Sequence, residues 1–230
     1  MEQLPGGYTL SICPGAFPLS TDSILLAHFT HLPRQARVLD LGSGCGTLGL
    51  LLCSRDEHCQ VTGIELEETG HTMALENIRA NQLQARMQSI CGDLRSVSAD
   101  LTPGKYDVCI SNPPYFSGGP ASTRTPLARR EDHCTPEDLF CAVGRCLKFG
   151  GDFFLVHKPE RLAQLIAAGA SQQLECKRLC LVRHKAGAPV NLILLQFRKG
   201  GKPGLIWEEL VLHQEDGSPT AAYRQIYHLE

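Results

Sequence analysis

The sequence predicts an α/β fold: a doubly wound, mostly parallel sheet of seven strands with an antiparallel C-terminal edge. Three observations carry that expectation. Apolar runs short enough for strands alternate with longer helical runs from residue 37 to residue 168, and such alternation implies parallel strands joined by right-handed crossovers. Four polar residues suited to holding a ligand, Asp40, Glu65, Asp93 and Asn112, all fall at the ends of predicted strands; ligands of open α/β sheets sit beyond the strands' C-terminal ends. Finally, 230 residues with 43% hydrophobic content can bury one sizeable core, so a single domain with appendages is expected.

Composition narrows the function classes. Net charge is only −2, so any affinity for nucleic acid must come from a local patch. Met1 to Gly7 lack a basic stretch followed by an apolar one, no apolar run is long enough to span a bilayer, and a cytoplasmic protein is expected. The eleven cysteines include no Cys-x-x-Cys pair and mostly lie in apolar runs, so they read as small buried hydrophobes in a reducing compartment. Cys176, Cys180 and His184 recur every four residues, but a strand over 174–182 would set them well apart. No metal is expected. His28 and His31 share a helix face without nearby ligand partners and read as surface or core residues.

Along the chain, Pro14 to Asp22 precede a helix over 23–31, with Thr21-Asp22 where an N-cap would stand. A strand over 37–41 then runs into the glycine-rich turn Asp40-x-Gly42-x-Gly44-x-Gly46, and 46–54 reads as the following helix. Glycines there let the backbone turn sharply and approach a ligand closely. A Gly-x-Gly-x-x-Gly dinucleotide fingerprint would need glycine at Thr47, and Asp40 would repel a pyrophosphate. A carboxylate at that turn favours a cationic ligand instead; S-adenosylmethionine carries an ammonium and a sulfonium and no phosphate. The competing reading is a plain buried strand-to-helix turn. The next strand, 60–65, ends in Glu65, whose carboxylate suits two ribose hydroxyls in a nucleotide-binding βαβ unit; the alternative is a cap or solvated charge at the head of the helix 67–81. After a strand over 86–91 come Gly92, Asp93 and Leu94. Asp93 suits an adenine amine and Leu94 its ring, although Gly-Asp is also an ordinary turn dipeptide.

The strand 107–111 ends in Asn112-Pro113-Pro114-Tyr115. Two prolines cannot continue a ladder, so the carbonyls of Asn112 and Pro113 are available beside the Asn112 amide and the flat ring of Tyr115. Acceptors next to a stacking surface suit a planar group bearing an NH2, such as adenine. A tight turn is the plain alternative. The stretch 116–134 is long for a connection and adjoins this cleft with Arg124, Arg129 and Arg130. A helix over 136–147 ending at Gly150-Gly151, a strand 152–157, a helix 159–168 and paired antiparallel strands 174–182 and 190–197 complete the core. Between Glu175 and Glu208 there is no acidic residue, yet Lys177, Arg178, Arg183, Lys185, Arg198, Lys199 and Lys202 all occur. A solvated face is the usual meaning of such a run; beside an amine-recognising cleft it suggests phosphate contact, with Lys199 to Gly204 as a basic loop.

On these residues the chain resembles Rossmann-like class I S-adenosylmethionine-dependent methyltransferases that act on amino groups: Asp40 to Gly46 match the cofactor loop and Asn112 to Tyr115 the catalytic motif. More narrowly it is similar to bacterial tRNA adenine-N6 methyltransferases that modify the adenosine beside the anticodon of valine tRNA. Phe17 to Asp22, Arg129-Arg130-Glu131, Thr135 to Leu139, Lys158 to Leu162, Asn191-Leu192, Lys199 to Leu205 and the ending Asp216-Gly217, Tyr223, Ile226-Tyr227 extend the match over nearly the whole chain. Cys45 and His184-Lys185 depart from it. The resemblance implies a cofactor-covering segment 1–35, a methyltransferase domain 36–199 and a basic C-terminal extension 200–230 packed on it. It implies cofactor contacts from Phe17, Thr21, Asp22, Asp40, Gly42, Gly44, Gly46, Glu65, Leu66, Gly92, Asp93, Leu94 and Asn112, catalysis by Asn112, Pro113, Pro114 and Tyr115, and RNA contacts from Phe116, Arg124, Arg129, Arg130, Arg183, Lys185, Lys199 and Lys202. S-adenosylhomocysteine would be the by-product, tRNA the partner, and a monomer or weak dimer the assembly. Asn-Pro-Pro-Tyr is shared with protein glutamine N5-methyltransferases of release-factor type and with rRNA and DNA amino-methyltransferases; a catalytically lapsed RNA-binding module is the non-enzymatic rival.

Overall fold

A computed structural model describes residues 2–13, 19–96, 101, 103–113 and 134–229. The elements run β1 (Glu2–Gln3), β2 (Thr9–Leu10), α1 (Thr21–Phe29), β3 (Arg37–Leu41), α2 (Thr47–Arg55), β4 (Gln60–Glu65), α3 (Glu68–Ala80), β5 (Met87–Cys91), β6 (Tyr106–Ser111), α4 (Pro136–Cys146), β7 (Leu147–His157), α5 (Leu162–Ser171), β8 (Leu174–Lys185), β9 (Val190–Lys199), β10 (Ile206–His213) and α6 (Ala221–Tyr227). β1 and β2 form a small antiparallel hairpin, and the other eight strands form one sheet in the order β10-β8-β9-β7-β6-β3-β4-β5. From β7 to β5 every neighbour is parallel, which matches the predicted winding.

The central strands are buried on both faces. Val38, Val108 and Ile110 point into a core shared with α1, α2 and α6. Leu39, Leu41 and Cys109 point into the opposite core, filled by Leu139, Phe140 and Val143 of α4 and Leu165 of α5. Continuous apolar runs are what a two-sided parallel sheet requires, and that is why the alternation of strand and helix was readable.

The C-terminal third differs from the expectation. The sheet has eight strands, not seven, because β10 pairs parallel with β8 and becomes the edge. β9 is internal, antiparallel to both β7 and β8. The extension is not basic either: Glu208, Glu209, Glu215, Asp216 and Glu230 outnumber Lys202 and Arg224. The edge strand exposes Ile206 and Trp207, the latter at 72%. An edge strand needs no buried alternation, so it carries no periodic signal. Gly150-Gly151 lie inside β7, where a Cβ on Gly151 would stand 2.8 Å from the Asp107 carbonyl.

Helix ends follow their caps. The α1 cap is Ser20, whose hydroxyl accepts the Ser23 N–H, while Thr21 and Asp22 begin the helix instead of capping it. At α4, Thr135 and Asp138 form a reciprocal capping box with Pro136 in the first turn.

Phe140 meets Phe153 and Phe197 edge-on, with centroids 5.3 Å and 5.0 Å away, while Phe153 and Phe197 stack on each other. All three are fully buried. Phe140→Ala is expected to cost about 3–5 kcal/mol, read as a lower urea midpoint at unchanged slope by circular dichroism; a shift under about 1 kcal/mol would mean the cluster does not anchor α4.

Candidate active site

The two segments that matter leave the sheet side by side. β3 and β6 pair with Asp40 opposite Ile110, and the Ser111 hydroxyl donates to the Leu41 carbonyl at 2.7 Å. Gly42 and Asn112 are the next residues of each chain, so the glycine turn and the Asn-Pro stretch emerge at the same end of neighbouring strands.

Within the turn, Gly42, Gly44 and Gly46 all have positive φ, +75°, +53° and +84°, a region that disfavours side chains. At Gly42 and Gly44 an added Cβ would meet nothing within 4 Å, so the backbone borders open space. The turn is fastened from behind. Amides of Gly42 and Ser43 donate to the Ile64 carbonyl, both at 2.9 Å. The Gly44 amide donates to Glu65 Oε2 at 2.7 Å, and Glu65 Oε1 accepts the Glu67 amide at 2.9 Å. Glu65 is buried, with one oxygen on the turn and the other on the head of α3; a carboxylate retains further lone pairs for hydroxyl donors.

Asp40 is fully buried, and among the described residues neither carboxylate oxygen has a hydrogen-bond partner. Burial, with repulsion from Glu65 added, pushes its pKa up to about 8. A buried carboxylate without partners is costly unless a positive group reaches it. The donor set thus fits a cationic ligand bordering Gly42 and Gly44.

Sequence reasoning missed Ser23. It is 7% exposed, and its hydroxyl accepts Nδ2 of Asn112 at 3.0 Å. With the amide in this orientation Oδ1, not the NH2, is the end left for another group. A serine in the first turn of an otherwise apolar helix was the available signal. Asn77 was also missed. Buried in α3, its Nδ2 donates to the carbonyls of Ser11 and Cys45, both at 2.9 Å, and its Oδ1 accepts the Ser11 amide.

Other predicted residues reach the same edge. Thr21 and Asp22 open α1 beside Ser23, and burial raises the Asp22 pKa despite Lys158 nearby. Pro113 is buried. The Gly92 amide donates to the Glu65 carbonyl at 2.8 Å, Leu94 packs on the α4-side core, and Leu66 is exposed. Asp93 is engaged by Arg95, whose Nε lies 3.0 Å from both carboxylate oxygens. Phe17, Pro114, Tyr115, Phe116, Arg124, Arg129 and Arg130 lie outside the described residues.

The cation run separates into two places. Arg183 and Lys185, at the C-terminal end of β8, share the edge of the site; Arg183 pairs with Glu209, and Lys185 Nζ donates to the Glu215 carbonyl at 3.1 Å. Lys199 pairs in register with Leu174 at the opposite edge, its Nζ donating to the carbonyls of Gly144 and Leu147 at the end of α4. Lys202 follows it there. Nor is the run without counter-charge: Arg178 meets Glu208, Arg198 meets Asp152, and the glutamates come from β10, distant in sequence but adjacent in the sheet. A cavity of about 380 Å³ between α1, β10 and α6 contains none of the strand-tip residues and has no part in this chemistry.

Residues 19–168 match the family model described as the methyltransferase small domain. The chain belongs to this methyltransferase family. Curated relatives include a tRNA1(Val) (adenine(37)-N6)-methyltransferase of Bacteroides fragilis strain YCH46, 34% identical over 92% of this chain and 91% of that protein. One of the same name from Aeromonas hydrophila is 32% identical over 92% and 89%. Among solved structures, a predicted O-methyltransferase from Agrobacterium tumefaciens superposes with a TM-score of 0.76 at 23% identity, covering 90% of this chain and 96% of that one. At that identity the likeness speaks for the fold alone.

The Asp40 environment has a pH consequence for the ligand-free enzyme. Unfolded, Asp40 titrates near 3.8; folded, near 8. Between those values the native state holds the extra proton, so stability is greatest toward the acid side and falls as pH rises through the window. Asp40→Asn is expected to flatten this contribution and to raise the melting temperature of the ligand-free protein at pH 8 relative to the parent. Parallel pH profiles of the two would remove the buried charge from the account.

Proposed function

We propose that this methyltransferase transfers a methyl group from S-adenosylmethionine to the exocyclic N6 of an adenosine in tRNA, the anticodon-loop adenosine 37 of valine tRNA. The relatives' names supply the substrate. The observation that carries the chemistry is Asn112, one residue beyond the strand beside Asp40, with its amide turned by Ser23.

When bound, S-adenosylmethionine supplies an electrophilic methyl on its sulfonium. Asp40 faces its cationic end across Gly42 and Gly44, with Gly46 completing the turn. Glu65, next to Leu66, takes the ribose hydroxyls; Gly92, Asp93 and Leu94 bound the adenine, Arg95 giving up part of Asp93. Thr21 and Asp22, with Phe17, cover the methionine end. The target nitrogen is a poor nucleophile because its lone pair is spread into the ring. As it gains positive character its hydrogens become more acidic, and Asn112 Oδ1 and the Pro113 carbonyl accept them more strongly than in the ground state. That difference lowers the barrier. Ser23 acts on the same step by holding the Asn112 NH2 at its hydroxyl, which leaves Oδ1 for the target amine. Tyr115, with Pro114 and Phe116 of the same stretch, stacks on the base, an interaction of roughly 1–3 kcal/mol. Holding donor and acceptor in line supplies much of the remaining acceleration.

Arg183 and Lys185, with Arg124, Arg129 and Arg130, are the cations assigned to the tRNA backbone; Lys199 and Lys202, on the far edge, would meet it only if the tRNA wraps around the sheet.

Asn112→Ala is expected to lower kcat by about 10²–10³ while leaving cofactor affinity by calorimetry nearly intact; equal loss of both would show the role is misassigned. Ser23→Ala should lower kcat by a smaller factor with unchanged KM for the cofactor, and Ser23→Thr should recover it. Incubation with labelled cofactor and total RNA, with and without ribonuclease, tests the substrate class. Label that survives ribonuclease and follows protein would sink the tRNA reading.

A further inference from the structure

Two cysteines flank the turn that borders the cofactor space. Cys45 lies between Gly44 and Gly46 and is 8% exposed; Cys13, partly exposed, ends the described N-terminal stretch ahead of α1. Their Sγ atoms are 3.6 Å apart. The approach is held by backbone on both sides. Asn77 bonds the Ser11 amide and carbonyl and, with the same side chain, the Cys45 carbonyl. One residue-turn further on, Asn81 holds Thr9 in the same way, at 2.8 Å and 2.7 Å. Cys13 Sγ also reaches the Thr69 carbonyl at 3.2 Å. The other close pair, Cys53 and Cys59 at 4.0 Å, is 2% and 0% exposed and sealed from solutes.

We propose that Cys13 and Cys45 form an oxidative modification site, at which a hydroperoxide joins them into a disulfide that pins the N-terminal segment to the glycine turn. Cys13, the more accessible sulfur, attacks the peroxide oxygen as its thiolate; the O–O bond breaks and water or an alcohol leaves with the proton. Cys45 then attacks the resulting sulfenic sulfur, an S–S bond forms, and the hydroxyl leaves as water with the Cys45 proton. Two thiols lose two electrons and two protons, and the peroxide is reduced. In a reducing compartment such a bond is transient and sensing in character, not structural.

The bond has a mechanical effect. Closing 3.6 Å to about 2.05 Å draws Cys45 and Cys13 together between anchors that have little slack. On the inner side α3 packs against the turn, a Cβ on Gly70 standing 3.0 Å from Glu65 Cγ and 3.4 Å from the Gly44 carbonyl. The strain therefore falls on Gly44 to Gly46, whose amide at Gly44 is set by Glu65. This consequence, unlike the bond itself, rests on the proposed cofactor site.

The full-length reduced protein is treated with hydrogen peroxide, remaining thiols are alkylated, and peptides are mapped without reductant. The expected product is a Cys13–Cys45 peptide pair lighter by two hydrogens and split by dithiothreitol. It should accompany a reversible loss of methyl transfer of about tenfold or more, the scale of an ångström-sized misplacement, and weaker binding of S-adenosylhomocysteine. Cys13→Ser, which keeps a donor for Thr69, and independently Cys45→Ser, should abolish both the pair and the peroxide sensitivity. Oxidation of exposed Cys91 or conversion of Cys13 to sulfinic acid without any Cys13–Cys45 pair would overturn the site. A pair formed with no change in ligand binding would overturn its action on the turn. Absence of tRNA methylation in the reduced protein would count against the proposed activity and leave the mass measurement standing.

Discussion

Hydrogen bonding between β3 and β6 sets Asp40 level with Ile110, and the placement of the glycine turn beside Asn112 descends from that alignment. Beyond it, one strand turns through glycine at Gly42 while the other reaches Asn112 and then Pro113, so neither can continue the ladder. Both therefore release backbone polar groups at one point on the sheet rim. A slip of one residue would turn Asp40 toward the α4-side core and Asn112 away from Ser23. Burial of Val38, Leu39, Leu41, Val108 and Ile110 on two faces makes such a slip prohibitively costly, and the site inherits its accuracy from apolar packing it never touches.

Electrostatics at the rim work by withholding partners as much as by supplying them. Glu65 is satisfied twice over by backbone amides, whereas Asp40, one strand away, is satisfied by nothing among the described residues. The first carboxylate is spent on holding a loop in shape. The second has no such support, and burial beside Glu65 raises its pKa to about 8. Two acidic residues near the ends of neighbouring strands thus sit in opposite environments.

Much of this was legible in the chain. Strand–helix alternation gave the parallel half because two-sided burial leaves uninterrupted apolar runs, and Asp40, Glu65 and Asn112 stood out as polar residues ending such runs. The antiparallel half was harder. β10, with Glu208-Glu209 in its middle and Trp207 in solvent, has no buried period to detect. Missing it made Arg178 and Arg183 look uncompensated, since their partners are close only across the sheet. Lys199 misled for a related reason: local sequence shows a glycine-rich basic loop, but only the β8–β9 register shows which rim it occupies. Ser23 and Asn77 act through hydrogen bonds to residues far along the chain, and no local pattern encodes such bonds.

Trp207 is the chain's single tryptophan, and it sits on the outermost strand with most of its indole in water. Its emission in the native protein should already resemble that of a solvated indole, so loss of the hydrophobic cores would barely recolour it. Intrinsic fluorescence is thus a poor witness to global melting here, and a sensitive one to anything that comes to lie along that rim.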